Sequence, residues 1–195
     1  IRAVIITDFE KTSATTLVEG VMDDEVGGAV AAFRQAVECD NVDLLNPILM
    51  TGSTVLVDDD LAEEFLAAAN KWIDDRNLAI TLIDEVRGRY HEIIGKGKDW
   101  IPRHYSLMIT EFFQLGLTKC LIGTRGLLGE GWDASRINVL IDLTTVTTSM
   151  SINQLRGRSI RLDKEWPEKV ANNWDIVCLA EESVSYTHLR AHETA

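Results

Sequence analysis

The chain has few of the residues on which disulfide, zinc and membrane proteins depend. Its three cysteines lie far apart in the sequence and match no zinc-binding spacing. No apolar run approaches the roughly 18 residues of a membrane-spanning helix. An acidic residue, Asp8, comes too early for the first segment to be a signal peptide. These absences favour a cytoplasmic protein with reduced thiols and no membrane partner.

Basic residues are also scarce. The 195 residues include 19 lysines and arginines against 31 aspartates and glutamates, a net charge of −12. This balance disfavours general coating of nucleic acid, because such binding is driven by basic charge, and leaves only local contacts with phosphates. A basic stretch at 87–103 has interleaved aromatic residues, so it is either a patch that contacts a nucleic-acid strand or a solvated loop.

A phosphate-binding loop is missing as well. The pattern G-x-x-x-x-G-K-[ST] occurs nowhere, so the I-D-E-V run at 83–86, which imitates the acidic box of ATPases, lacks its necessary companion. The run G-E-G-W-D-A at 129–134 imitates a dinucleotide fingerprint but has Gln154 where an acidic residue is expected. The acidic residues at 58–64 are explained by capping of a helix start, and we predict no metal site.

Short apolar runs alternate with amphipathic segments along the chain. The pattern predicts buried strands at 3–6, 47–50, 79–83, 119–122, 137–141 and 175–179, and helices at 26–37, 61–73, 103–117 and 151–162. Such alternation is typical of an α/β fold with a mostly parallel twisted sheet and helices on both faces. We expect one domain over 1–182, cut from a longer polypeptide because it begins without methionine, and a disordered or non-native tail over 183–195.

Polar residues follow several of the predicted strands. In open α/β sheets ligands bind beyond the carboxyl ends of the strands. Thr7, the Thr51–Gly52 pair, Thr124 and Asp142 all fall at such ends. We therefore expect them to lie along one edge of the sheet.

The run Q-L-R-G-R-S-I-R at 154–161 concentrates cationic groups on one side of a predicted helix. Gln154, Arg158 and Arg161 fall within about 60° of one another on an α-helix. Two guanidiniums on one stripe suit a polyphosphate, because arginine binds phosphate oxygens through two donors at once. The alternative is a solvated basic helix.

A second stripe on this helix favours docking onto the sheet. Its members are mostly apolar: Ile152, Leu155, Ser159 and Leu162. Glycine within a helix is destabilising, so Gly157 predicts a close approach by another group. Arg156 points about 160° away from the Arg158 stripe, so it is not assigned to the polyphosphate.

The segment 123–133 is rich in glycine and follows a predicted strand. Its four glycines, Gly131 among them, allow main-chain N–H groups to face an anion closely. Thr124 adds a hydroxyl, and Asp133 can accept a hydrogen bond from a ribose. A flexible connection is the alternative.

Three segments in this order resemble motifs IV, V and VI of superfamily 2 helicases. They are A-V-I-I-T-D-F at 3–9, G-T-R-G with G-E-G-W-D at 123–133, and the run at 154–161. The likeness covers residues 1 to about 180, the second RecA-like lobe. The G-E-G-W-D form is similar to that of DEAD/DEAH-type helicases related to type III restriction subunits. The resemblance implies a lobe of the P-loop NTPase type without its own P-loop.

The resemblance also implies roles for single residues. Arg158 and Arg161 would be arginine fingers, aided by Gln154, on ATP that is held with Mg²⁺ mainly by a missing N-terminal lobe. Asp133 would contact the nucleotide ribose, and Thr124 and Thr7 would contact nucleic-acid phosphates. By their positions, the remaining candidates are Gly131 and Gly157 for nucleotide, and Thr51, Gly52 and Arg125 for nucleic acid.

The implied function is that of a motor lobe in an ATP-dependent helicase or translocase. Its partners would be the N-terminal RecA-like lobe of the same polypeptide and a DNA or RNA strand. Two alternatives stay open: a non-catalytic module that binds nucleotide or nucleic acid, and a dinucleotide-binding oxidoreductase domain.

Overall fold

An eight-stranded sheet organises the chain in this computed structural model, which describes residues 1–11, 27–129, 132–145, 153 and 156–176. The strand order is β4-β5-β3-β2-β6-β1-β7-β8. The strands are β1 (Ala3–Thr7), β2 (Pro47–Met50), β3 (Val55–Asp58), β4 (Thr81–Val86), β5 (Tyr90–Lys96), β6 (Cys120–Thr124), β7 (Val139–Asp142) and β8 (Asn172–Asp175). The helices are α1 (Gly28–Glu38), α2 (Asp40–Asp43), α3 (Asp59–Asp75), α4 (Pro102–Leu115) and α5 (Arg125–Leu128).

The parallel half of the sheet runs from β2 through β6, β1 and β7 to β8. Its central strands are apolar and β-branched, as expected of strands covered on both faces. In the register, Thr7 lies opposite Thr124 and Ile6 lies opposite Asp142. The prediction of an α/β fold with a mostly parallel sheet is confirmed, and the carboxyl ends of these strands share one edge.

The other half of the sheet is antiparallel and differs from the sequence prediction. Strands β3 and β5 were not predicted, and β4 is the outer strand of a hairpin with β5 instead of a buried parallel strand. Strand β8 is exposed at the far edge and overlaps the predicted strand at 175–179 only at Asp175, and residues 177–179 lie outside the described residues. The error at β4 arises because a short apolar run is equally compatible with a central strand and with an edge strand.

Helices cover both faces of the sheet, as the alternation predicted. Alternate residues of each strand point to opposite faces, so Val4 and Ile6 pack with α3 and α4, whereas Ala3 packs with α1. Helix α3 buries a stripe that includes Leu61, Phe65 and Trp72. Among the described residues, no helix is both long and apolar enough to span a membrane.

Asp58 is a buried acid at the junction of β3 and α3. It is the N-cap residue of α3 yet makes no side-chain capping bond, and neither carboxylate oxygen has a hydrogen-bond partner within the described ranges. Burial, followed by the nearby charges of Asp43 and Asp59, raises the pKa of Asp58 to about 7. Its charged form therefore opposes folding.

Replacement of this acid should stabilise the protein at alkaline pH. In the fold the pKa of Asp58 lies above its usual value of 3.8. The contribution of this side chain to the free energy of unfolding is therefore fully present at low pH, where the carboxyl is protonated, and is lost as the pH rises toward 7. We expect Asp58→Asn to raise the free energy of unfolding at pH 8 on the order of 2 kcal/mol, with a smaller gain at pH 5. Urea unfolding at both values measures it. Glu64→Gln, exposed on the same helix, is the charge-matched control, and equal gains at both pH values would contradict the assignment.

Candidate functional site

The candidate ligand groups gather at the carboxyl edge of the parallel strands. Thr7 and Thr124 end neighbouring strands in register, and Thr51 directly follows β2, which pairs with β6 on its other side. The structure therefore brings together the strand-end residues that the sequence placed there.

A short helix leads away from β6 and shapes the first wall of the site. Gly123 is required there because a Cβ would collide with the Met50 carbonyl and the Leu128 side chain. Thr124 is the N-cap of α5, and Gly129 ends that helix without space for a side chain against the Arg125 carbonyl. Gly123 thus allows close packing of α5 on the sheet, and Gly129 allows the helix to end close to its own backbone.

Arg158 is buried against the end of α5. Only 7% of the residue is exposed, and its guanidinium donates hydrogen bonds to the carbonyls of Leu128 and Gly129. The guanidinium also lies 5.8 Å from the ring of Trp132. Burial and the nearby Arg161 lower the pKa of Arg158, and Asp133 partly opposes them. The side chain therefore joins the segments 123–133 and 154–161, which the sequence analysis singled out separately.

Arg161 lies beside Arg158 but faces solvent. Its guanidinium forms an ion pair with Asp133, and the two side chains are 48% and 67% exposed. An exposed ion pair contributes little to stability and exchanges readily with other charged groups. The two predicted nucleotide residues are thus adjacent and accessible.

The helical segment that carries these arginines ends at Ser159, before the predicted end at Leu162, and residues 151–152 and 154–155 of the predicted helix lie outside the described residues. Residues 156–159 are helical, and Arg161 lies beyond their end, with Leu162 92% exposed. The prediction that Leu162 docks on the sheet is therefore wrong, whereas Ser159 is buried and donates to Asn173 of β8 at 2.6 Å. Arg156 pairs with Asp175, away from the Arg158 side.

Gly157 does not show the close approach expected of it. A Cβ at that position would meet no described atom within 4 Å. Gln154 and Gly131 lie outside the described residues, so their roles stay predictions.

Thr7 and Arg125 have partners within the fold. Thr7 is 4% exposed, and its hydroxyl donates to the Phe9 carbonyl at 2.8 Å. Arg125 lies 3.5 Å from one carboxylate oxygen of Asp8, and the other oxygen accepts two hydrogen bonds from Thr145. In this arrangement the Thr7 hydroxyl is not presented to a ligand, whereas Arg125 is exposed.

The turn after β2 holds a group that the sequence analysis missed. Thr51, Ser53 and Thr54 all donate their hydroxyls to the carboxylate of Glu10. Gly52 at the tip of this turn is exposed. The density of hydroxyl residues in T-G-S-T directly after a strand was the available signal, but nothing in the sequence connects it with Glu10.

The basic stretch at 87–103 does not present its aromatic residues as a stacking surface. Tyr90 packs edge-on against Phe33, and Tyr105 is buried beside Trp100. Arg87 pairs with Glu85 and Glu92 of its own hairpin. Within the described ranges, no group of three or more histidine, cysteine or acidic side chains is placed to hold a metal ion.

Comparison with known proteins yields no relatives. No family model, no curated protein and no solved structure matches this chain.

The two neighbouring arginines should differ in their contribution to stability. Arg158→Ala removes two donors from buried carbonyls and leaves a gap beside Trp132, so we expect a loss of about 1–3 kcal/mol in the free energy of unfolding. Arg161→Ala, the matched control, removes only an exposed ion pair and should cost at most about 1 kcal/mol. Urea titrations measure both values. Equal losses would show that the Arg158 contacts are not structural.

Proposed function

We propose that this chain is the second motor lobe of an ATP-dependent nucleic-acid helicase or translocase, with a RecA-like fold. The lobe would complete an ATP site whose phosphates and Mg²⁺ are held mainly by an N-terminal lobe of the same polypeptide. It would also contact the backbone of DNA or RNA. ATP supplies the phosphoryl group whose transfer drives opening and closing of the two lobes.

The observation that carries the proposal is the pairing of Arg161 with Asp133 beside Arg158. The residues come from segments that resemble motifs V and VI, which are separate in sequence. Their contact supports the resemblance because a nucleotide site of this kind requires a ribose acceptor next to two phosphate-binding cations. The chain has a net charge of −12, so its composition alone does not account for a cluster of arginines.

The groups present fit a nucleotide unequally. The exposed Arg161–Asp133 pair can be exchanged for a phosphate and a ribose hydroxyl with little cost, since water solvates each group released. Arg158 must first leave two backbone carbonyls. On this proposal Arg161 is available to a triphosphate in the observed arrangement, and Arg158 becomes available only after its side chain turns.

One observation favours a second candidate, the non-catalytic binding module. The burial of Arg158 on the end of α5 gives that residue a structural role that needs no ATP. A lobe that retained its fold but had lost catalysis would keep such an arginine. The two candidates differ in whether ATP turnover depends on Arg161.

Removal of either finger should abolish ATP turnover in the longer polypeptide that carries both lobes. Arginine fingers contribute about 10³–10⁵ in rate in comparable NTPases, so Arg158→Ala and Arg161→Ala should each lower kcat by about that factor. ATP binding should survive, because the phosphates are held mainly by the other lobe. Phosphate release under saturating ATP measures kcat, and a fluorescent ATP analogue measures binding.

Arg156→Ala serves as the control, since Arg156 pairs with Asp175 instead of facing the proposed nucleotide. Its turnover should stay within a few-fold of the wild type. Near-normal kcat in Arg161→Ala would refute the motor proposal and favour the non-catalytic module. The isolated 195-residue chain should show no ATP hydrolysis of its own, since it has no phosphate-binding loop.

A further inference from the structure

Three hydroxyl groups converge on one carboxylate at the carboxyl edge of the sheet. Ser53 Oγ and Thr54 Oγ1 lie 2.6 and 2.7 Å from the two carboxylate oxygens of Glu10, and Thr51 donates to the same group. We call the turn formed by residues 51–54 the hydroxyl turn. It is a set of donors gathered around a single anion.

The energetics of Glu10 show that the hydroxyl turn stabilises negative charge. Burial opposes ionisation of Glu10, but the hydrogen bonds from Ser53, Thr51 and Thr54, together with the charge of Lys11, outweigh it, so the pKa of Glu10 is lowered. Carboxylate and phosphate oxygens accept the same kinds of hydrogen bond, and serine and threonine hydroxyls commonly bind nucleic-acid phosphates. The turn therefore has the chemistry of a phosphate site.

The hydroxyl turn keeps its shape through contacts other than those with Glu10. The Thr51 amide donates to the Thr54 carbonyl at 2.9 Å, and the Thr54 amide donates to the Thr51 hydroxyl at 3.0 Å. Beneath the turn, the Tyr105 hydroxyl donates to the Thr51 carbonyl at 2.7 Å. The donors are thus positioned before any ligand arrives.

Glu10 is likewise anchored by its backbone. Its carbonyl accepts a hydrogen bond from the amide of Val30 in α1 at 3.1 Å, and the carbonyl of Phe9 accepts one from Ala29. The carboxylate can therefore leave the hydroxyls by side-chain rotation alone. Thr51 is fully buried, and its hydroxyl points at the Glu10 carboxylate, so the departure of that carboxylate would free this donor for a ligand.

We propose that the hydroxyls of Thr51, Ser53 and Thr54 form a phosphate-binding site that Glu10 occupies in the unliganded protein and vacates when a backbone phosphate of a nucleic-acid strand binds. Glu10 acts as an internal competitor. Glu10 lowers the affinity for a nucleic-acid strand. When no strand is bound, it accepts the hydrogen bonds of the three hydroxyl groups. The identity of the phosphate as part of a strand rests on the proposed function; the phosphate site itself does not.

The test is oligonucleotide binding by the 195-residue chain and its Glu10 variants. The probe is a fluorescein-labelled 20-nucleotide oligothymidylate followed by anisotropy at several salt concentrations. A site that is open about one time in ten weakens apparent affinity about tenfold. We therefore expect Glu10→Ala to bind about 5–10-fold tighter, with an unchanged salt slope, because hydroxyl groups release no counterions.

Three further variants separate competition from loss of charge. Glu10→Gln loses the charge but keeps an acceptor among the hydroxyls, so its gain should be smaller than that of Glu10→Ala. Glu10→Asp keeps the charge but is one methylene too short to reach all three hydroxyls, so part of the gain should remain. It also serves if Glu10→Ala does not fold. Adding Ser53→Ala and Thr54→Val to Glu10→Ala should remove the gain.

The outcomes distinguish this inference from the proposed function. Equal oligonucleotide binding by wild type and Glu10→Ala, or equal gains in the Gln and Ala variants, overturns the competitor role and leaves the motor proposal intact. A second arm measures inorganic phosphate by calorimetry. Tighter phosphate binding by Glu10→Ala without any oligonucleotide binding supports the phosphate site and contradicts a nucleic-acid strand as its ligand. Binding of neither probe by Glu10→Ala overturns both.

Discussion

Strand β1 is hydrogen-bonded on both sides, to β6 and to β7, and the geometry of the whole ligand edge depends on this parallel pairing. The register is set by the core, because Val4 and Ile6 must face α3 and α4 while Ala3 faces α1. A slip of one residue would reverse the faces of all these side chains. Apolar packing therefore aligns the strand ends. The positions of the polar residues at this edge follow from that alignment.

The arginines at this edge already have partners within the protein. Arg125 pairs with Asp8, Arg161 pairs with Asp133, and the Arg158 guanidinium contacts backbone carbonyls. An acidic chain supplies such partners easily, and it shields its few cations from indiscriminate binding of anions. Any anionic ligand must therefore exchange with an internal group, so affinity depends on the cost of releasing that group more than on the number of cations.

The sequence predicted the central sheet better than its margins. Strands β1, β2 and β6 are apolar runs flanked by turn residues, and the amphipathic period of α3 and α4 is strong, so their positions followed from local pattern alone. Strands β3 and β5 could not be found in this way. Strand β3 is a short apolar run that leads directly into α3, and β5 mixes polar with apolar residues. Their pairing is decided by non-local contacts.

The candidate site shows the same division in a sharper form. The grouping of Arg158, Arg161 and Asp133 was implied by the resemblance of their segments to motifs V and VI, but the burial of Arg158 was not, because its acceptors are backbone carbonyls that any sequence supplies. The hydroxyl turn and Glu10 are similar, since their contact joins the segment after β1 to the turn after β2. The contacts of Arg161 and Arg158 differ in the free energy required to break them. Water can solvate Asp133 once Arg161 departs, whereas the carbonyls beneath Arg158 would lose buried donors. On the proposed function, Arg161 engages a triphosphate before Arg158 does.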